Sequence, residues 1–253
     1  MKENMVLGAQ LYTVREHCKD LDSFAETLKK IADIGYTTVQ VSGVCEYTPE
    51  WLKEQLDKTG LKCVLTHSPI DKLKDQTEEV IRAHKLFDCP YIGLGYYRFH
   101  AESDTEVEDF KTILTPFAEA FKKEGKYFMY HNHAFEFKKF KGSTVWAHLL
   151  NTVPADLMGI TLDTYWVQVG GADPAYWIRR LAGRVPCIHL KDCGYKQTMQ
   201  VVGEGNMNFD AILQAAEEAG TKYMLVEQDD CNGEDSLDCL KRSYNNLRAL
   251  GFR

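Results

Sequence analysis

Long apolar runs are missing from this sequence. No stretch approaches the roughly 20 apolar residues of a membrane-spanning helix, and the first residues hold no hydrophobic segment typical of a signal peptide. We therefore expect a cytoplasmic protein with no membrane partner. An excess of positive charge is missing too, because the formal net charge is −7. This charge disfavours binding to nucleic acid or another polyanion.

Paired cysteine motifs are also absent. The eight cysteines are scattered through the chain and include no C-x-x-C pair. Together with the missing secretion signal, this spacing predicts reduced thiols with mainly structural roles.

The sequence does contain a regular alternation of strand-like and helix-like segments. Eight apolar, β-branched or aromatic segments predict strands, and helical patterns or helix caps follow them. The predicted strands cover residues 6–12, 37–42, 62–67, 91–97, 127–130, 159–169, 186–192 and 223–227. No G-x-G-x-x-G follows an early strand, which disfavours the alternative of a doubly wound sheet. We predict an α/β fold with a single (β/α)8 TIM barrel domain over residues 1–253.

Polar residues stand where several predicted strands end, and active sites of (β/α)8 barrels lie at those ends. The densest segment, residues 127–137, places two histidines and a carboxylate within six residues. Later apolar runs end in Asp163, His189 and Glu227. Two carboxylates and an imidazole at one barrel mouth predict one divalent metal ion, because clustered carboxylates are costly without a cation. The carboxylate share favours Mn²⁺ or Mg²⁺, and Zn²⁺ or Co²⁺ is compatible. The polar residues expected to converge at this mouth are Gln10, His67, His131, His133, Asp163, His189, Lys191 and Glu227.

Five motifs resemble those of the xylose-isomerase-like TIM-barrel superfamily, in particular its sugar phosphate isomerase/epimerase branch. That branch includes ketose 3-epimerases and inosose isomerases and dehydratases. The motifs are His131-Asn132-His133-x-x-Glu136-Phe137, Leu162-Asp163-x-Tyr165-Trp166, His189-x-Lys191-Asp192, Gly203-Glu204-Gly205 and Val226-Glu227-Gln228. The resemblance extends over all eight strand-helix units. It implies a divalent metal held by Glu, Asp, His and Glu from strands five to eight, of which the last three map onto Asp163, His189 and Glu227.

The sequence departs from that family pattern at two positions. Where relatives carry a glutamate at the end of strand five, this chain has His131, which we predict as the fourth ligand; His133 and Glu136 are alternatives. A histidine here makes the site richer in nitrogen and favours Mn²⁺, Zn²⁺ or Co²⁺ over Mg²⁺. Where relatives carry a substrate-contacting histidine, this chain has Trp166, whose ring suits stacking on a sugar or packing at the barrel rim.

The resemblance and the predicted site imply a metal-dependent sugar isomerase or epimerase. Such an enzyme abstracts a proton α to a carbonyl through a metal-stabilised enediolate. We assign proton exchange to Glu227, with Glu136 or His133 as the second acid-base group. Lys191 would stabilise the enediolate oxygen or bind a carboxylate or phosphate group, unless it forms a surface salt bridge with Asp192. The residues predicted to contact the sugar or keto-polyol substrate are Gln10, His67, Trp166 and Glu204.

Two other functions share these features. A keto-inositol dehydratase or a 3-keto-glycoside lyase would use the same first step, and a non-catalytic sugar-binding barrel would keep the mouth without the chemistry. DNA repair is disfavoured, because the end of strand four offers no histidine for a multinuclear zinc site. Aromatic residues near the mouth predict an exposed shared surface and therefore a homodimer; these residues are Tyr96, Tyr97, Phe99 and Phe135.

Overall fold

Eight parallel strands close into a barrel in the computed structural model, which describes residues 5–103 and 105–252. The strands are β1 Val6–Gln10, β2 Thr38–Val41, β3 Lys62–His67, β4 Tyr91–Leu94, β5 Tyr127–His131, β6 Met158–Asp163, β7 Cys187–Leu190 and β8 Tyr223–Val226. Each strand pairs with the next, and β8 closes the ring on β1 with Val6 opposite Tyr223. The predicted (β/α)8 barrel is confirmed.

Helices connect the strands around the barrel. They are α1 Leu21–Ile34, α2 Pro49–Thr59, α3 Ile70–Asp75, α4 Thr77–Leu86, α5 Glu106–Lys123, α6 Val145–Thr152, α7 Thr164–Val169, α8 Pro174–Arg180, α9 Phe209–Glu218 and α10 Ser236–Ala249. Within the described ranges no helix is both long and apolar enough to cross a bilayer. Thr48 and Asp173 cap α2 and α8, each with proline in the first turn. The cap of α1 is Asp20, because Asp20 and Ser23 form a reciprocal capping box.

Several predicted strands extend past the observed ends, and at two of them a side chain ends the strand. The side chain of Asp163 accepts a hydrogen bond from the backbone N–H of Trp166 at 2.9 Å and thereby starts α7. Trp166 therefore lies on a helix and not on β6. At the end of β1, Gln10 accepts from the backbone N–H of Tyr12 at 3.0 Å, and a 3₁₀ segment, Leu11–His17, follows.

Apolar side chains fill the lower part of the barrel and leave its carboxyl end polar. A small buried cluster contains Met129, Cys187 and Leu225, which lie within the first three residues of β5, β7 and β8. A larger cluster packs the strands against the helices. All eight cysteines are free, as predicted.

The predicted aromatic surface near the mouth is wrong for Phe99. Phe99 is buried and packs edge-on against Phe110, with ring centroids 5.4 Å apart. Tyr97 lies over the same ring at 4.4 Å. Tyr96 does remain exposed. The homodimer stays a prediction that this fold does not test.

Candidate functional site

Four buried side chains meet at the carboxyl ends of β5 to β8. His131 ends β5, Asp163 ends β6, His189 is the third residue of β7, and Glu227 directly follows β8. One ligand atom from each lies within 4.8 Å of the others. The structure thus brings together the four residues predicted as metal ligands.

Hydrogen bonds on the far side of each imidazole direct its second ring nitrogen toward the carboxylates. Nδ1 of His131 donates to the carbonyl oxygen of Gly95 at 3.1 Å, which leaves Nε2 facing Asp163 Oδ2 at 3.3 Å. Nε2 of His189 donates to Gln40 Oε1 at 2.7 Å, which leaves Nδ1 facing Glu227 Oε2 at 2.8 Å. Such outer hydrogen bonds typically fix the tautomer of a metal-ligating histidine.

The electrostatics of this cluster favour an added positive charge. His189 Nδ1 is buried and lies 2.8 Å from Glu227 Oε2 and 3.8 Å from Asp163 Oδ2. Burial alone would lower the pKa of His189, but Glu227 and Asp163 overcome it and raise the pKa to about 9. The same field would stabilise a divalent cation among two nitrogen and two carboxylate donors, a set that suits Mn²⁺, Zn²⁺ or Co²⁺. The residues present therefore fit a metal ion.

Lys191 brings a buried positive charge to this cluster. Its ammonium is buried and lies 3.3 Å from Asp163 Oδ2, 3.2 Å from Glu227 Oε2 and 2.8 Å from Asp229 Oδ2. Burial opposes the charged form, but these three carboxylates raise the pKa of Lys191 above its ordinary value. The alternative of a surface salt bridge with Asp192 is wrong, because Lys191 points into the site.

A cavity of about 660 Å³ opens over this cluster at the barrel mouth. Its lining includes Glu227 and Lys191 from the cluster, together with the predicted residues Gln10, His67, His131, His133 and Trp166. Burial, with His131 nearby, lowers the pKa of His133 to about 3, so this imidazole is neutral at pH 7. Three neutral lining groups have buried polar atoms without a hydrogen-bond partner, namely His67 Nε2, His133 Nδ1 and Trp166 Nε1. These neutral groups can hydrogen-bond to a polar ligand.

Two predicted site residues lie outside both this lining and the quartet of predicted metal ligands. Glu204 pairs with Arg242 of α10, whose Nε donates to Glu204 Oε1 at 3.0 Å. Glu136 is fully buried and accepts from the Tyr130 hydroxyl at 2.6 Å and from the backbone N–H of His133 at 2.8 Å. Both carboxylate oxygens of Glu136 are thus engaged in holding the segment after β5.

Glu136 makes a pH-dependent contribution to stability that a substitution can isolate. Burial raises its pKa to about 8, although the bonds from Tyr130 and His133 oppose the rise. Between about pH 4.5 and 8 the folded state keeps a proton that the unfolded state has lost, so stability falls as pH rises, by at most about 1.4 kcal/mol per pH unit.

We expect Glu136→Gln to remove this slope, because the amide keeps one acceptor and remains neutral. Denaturant unfolding of both proteins from pH 5 to 8 measures the change, and metal content should be retained. If the free energy of unfolding changed with pH in the same way in both proteins, the assignment of a neutral Glu136 would be contradicted.

Metal binding is expected to stabilise the protein. At about 100 times the dissociation constant, linkage gives about 2.7 kcal/mol, or about 5–10 °C in thermal midpoint for a chain of this size. Asp163→Ala or His189→Ala should abolish this rise in chelator-stripped protein titrated with Mn²⁺. Asp156→Ala is a matched control, since Asp156 is an exposed carboxylate paired with Lys122. A full rise of the thermal midpoint with Mn²⁺ in both site variants would rule out this ligand set.

Three residues of the site were not identified from the sequence. Asp229 lines the cavity and contacts Lys191, and burial together with Glu227 raises the pKa of Asp229 to about 6. Gln40 holds His189, and Asn132 Oδ1 accepts from the backbone N–H of Asp163 at 2.9 Å. The signal for Asp229 was its two-residue spacing from Glu227, and for Gln40 its isolated polarity within an apolar strand.

Comparison with known proteins identifies the family. A model described as xylose isomerase-like TIM barrel matches residues 28–243. The chain belongs to the xylose isomerase-like TIM barrel family. Comparison with curated proteins gave no match.

Several solved structures share this xylose isomerase-like TIM barrel. A sugar phosphate isomerase/epimerase from Parabacteroides distasonis has 22% sequence identity and a TM-score of 0.85, covering 98% of this chain and 95% of that one. An L-ribulose 3-epimerase has 15% identity and a TM-score of 0.76, covering 98% and 94%. A probable 3-DHS dehydratase involved in petrobactin synthesis in Bacillus anthracis has 18% identity and a TM-score of 0.74, covering 96% and 99%. At these identities the likeness shows the fold alone.

Proposed function

We propose that this protein is a divalent-metal-dependent sugar isomerase or epimerase. The observation that carries the proposal is the buried quartet of His131, Asp163, His189 and Glu227, within 4.8 Å of one another beside an open cavity. The similar folds of an L-ribulose 3-epimerase and a sugar phosphate isomerase/epimerase support the same reaction class.

The metal would be held by these four residues, with Mn²⁺ as the best match to their donors. When bound, a divalent ion supplies Lewis acidity that polarises a substrate carbonyl. Glu227 is the quartet carboxylate that also lines the cavity, so it is the group placed to take the proton next to that carbonyl. Glu136 has both oxygens occupied and does not reach the lining, so we do not assign it that step.

The other lining residues bind and orient the substrate. The ammonium of Lys191 lies beside Glu227 and places positive charge where the substrate oxygen becomes negative. Trp166 offers an aromatic face for a sugar ring. Neutral His133, whose Nδ1 has no hydrogen-bond partner in the protein, can hydrogen-bond a substrate hydroxyl.

Deuterium exchange tests the proposal. Mn²⁺-loaded protein incubated in D₂O with a panel of ketoses, keto-inositols and 3-keto-glycosides should place deuterium at the carbon next to the carbonyl of a turned-over substrate. An isomerase or epimerase returns a sugar changed only by that label, whereas a dehydratase or lyase releases an unsaturated ketone or an aglycone. Metal binding without exchange on any of these compounds would support a non-catalytic sugar-binding barrel instead.

A further inference from the structure

The loop after β7 is folded around its own carboxylate. Asp192 is buried, and its Oδ2 accepts from the backbone N–H groups of Gly203 and Gly205, both at 2.9 Å. Its Oδ1 accepts from the N–H groups of Cys193 at 2.7 Å and Met207 at 3.4 Å. A Cβ on Gly205 would lie 2.4 Å from Asp192 Oδ1, so the close approach requires glycine. One internal anion thus uses four backbone donors.

Convergent backbone N–H groups of this kind can also bind phosphate. TIM barrels frequently bind phosphate at the loops after strands seven and eight. In this chain a side-chain carboxylate already occupies four such donors in the loop after β7. A substrate phosphate would have to displace Asp192, which is held by the chain itself.

The cavity lining offers no free cation to replace those donors. Lys191 is the one lysine or arginine among the described lining residues, and three carboxylates surround it. The nearby guanidinium of Arg15 donates to the carbonyl oxygens of Tyr12 and Asp229. Arg242, next to the loop, is paired with two glutamates, Glu204 and Glu234.

The charge balance of the site also disfavours a phosphate group. With His189 neutral as a metal ligand, Asp163, Glu227 and Asp229 bring three negative charges and Lys191 one positive charge, which leaves −2. A divalent ion would bring this to zero. A phosphate would add about −1.5 to −2, and a buried charge without a partner is strongly unfavourable.

We infer that the substrate is an uncharged polyhydroxy ketone and that its phosphate ester is excluded, because Asp192 occupies the backbone donors of the loop after β7 and the described cavity lining offers no unpaired cation. This inference rests on the proposed function, from which it takes the reaction. The unpartnered neutral groups of the lining, His67 Nε2, His133 Nδ1 and Trp166 Nε1, match the hydroxyl groups of such a substrate.

Matched pairs of sugars test the inference in the Mn²⁺-loaded protein. Suitable pairs are fructose with fructose 6-phosphate, psicose with psicose 6-phosphate, and ribulose with ribulose 5-phosphate. We expect deuterium to enter the free sugar of a turned-over pair at least about tenfold faster than its ester. Faster labelling of the ester would overturn the inference while leaving the proposed function intact.

A binding experiment decides the inference even if no sugar is labelled, a result that would count against the proposed function alone. Inorganic phosphate is titrated into metal-free protein and followed by calorimetry and ³¹P line broadening. Wild-type protein should not bind phosphate at millimolar concentration. Asp192→Ala should gain phosphate binding. Asp192→Asn should not gain it, because the neutral side chain still occupies the backbone donors. Phosphate binding by wild-type protein would overturn the inference. If Asp192→Ala does not fold, the wild-type titration alone supports or overturns it.

Discussion

Replacing Lys191 by methionine is expected to lower the free energy of unfolding of the metal-free protein by about 3–5 kcal/mol, the usual effect of breaking a buried ion pair from one side. In wild-type protein the Lys191 ammonium contacts Asp163, Glu227 and Asp229. Methionine preserves much of the volume of the side chain, but it leaves three neighbouring carboxylates without that ammonium. Their mutual repulsion is the physical reason for the loss.

Mn²⁺ should restore a large part of this stability, because a divalent ion would bring a new positive charge to Asp163 and Glu227. Denaturant unfolding of stripped and Mn²⁺-loaded protein measures both effects. Lys122→Met is the matched control: Lys122 pairs with Asp156 on the surface at 2.7 Å, and exposed pairs contribute at most about 1 kcal/mol. Equal stability of metal-free Lys191→Met and wild-type protein would show that the ammonium does not balance this cluster.

The barrel and the metal quartet follow from local patterns, which explains why the sequence predicts them. Parallel barrel strands are buried on both faces, so each gives an apolar run, and the residue that ends the run lies at the mouth. Asp163, His189 and Glu227 all stand at or beside such an end. His131 follows the same rule, and the structure places it beside Asp163 despite its departure from the family's glutamate.

The remaining parts of the site depend on contacts between distant segments. Gln40 and His189 are 149 residues apart and meet across the barrel, so no local pattern pairs them. Glu136 stands three residues beyond His133 and shares its motif, yet the chain turns there and directs the carboxylate to Tyr130. Asp192 follows Lys191 directly but binds the loop around Gly203 and Gly205. The positions of Glu136 and Asp192 depend on backbone direction after a strand ends, which sequence patterns specify poorly.

Replacing Glu227 by glutamine is expected to slow deuterium exchange into a turned-over substrate by about 10²–10⁴, the usual contribution of a positioned general base. The amide has nearly the same size, but it cannot accept the proton from carbon. Glu227 also belongs to the metal quartet, so the substitution weakens metal binding as well. The measurement therefore uses excess Mn²⁺ with occupancy followed by electron paramagnetic resonance, and rates are compared at equal occupancy.

Glu136→Gln is the matched control for the loss of a buried carboxylate. Glu136 is as buried as Glu227 and lies in the same half of the barrel mouth, but it hydrogen-bonds Tyr130 and His133 and does not line the cavity. We expect its exchange rate to stay within about tenfold of wild type, since no proton is transferred to it. A large loss in Glu136→Gln with normal exchange in Glu227→Gln would reverse the assignment of the base. A large loss in both at full metal occupancy would show that proton transfer needs the Glu136–Tyr130 contact as well as Glu227.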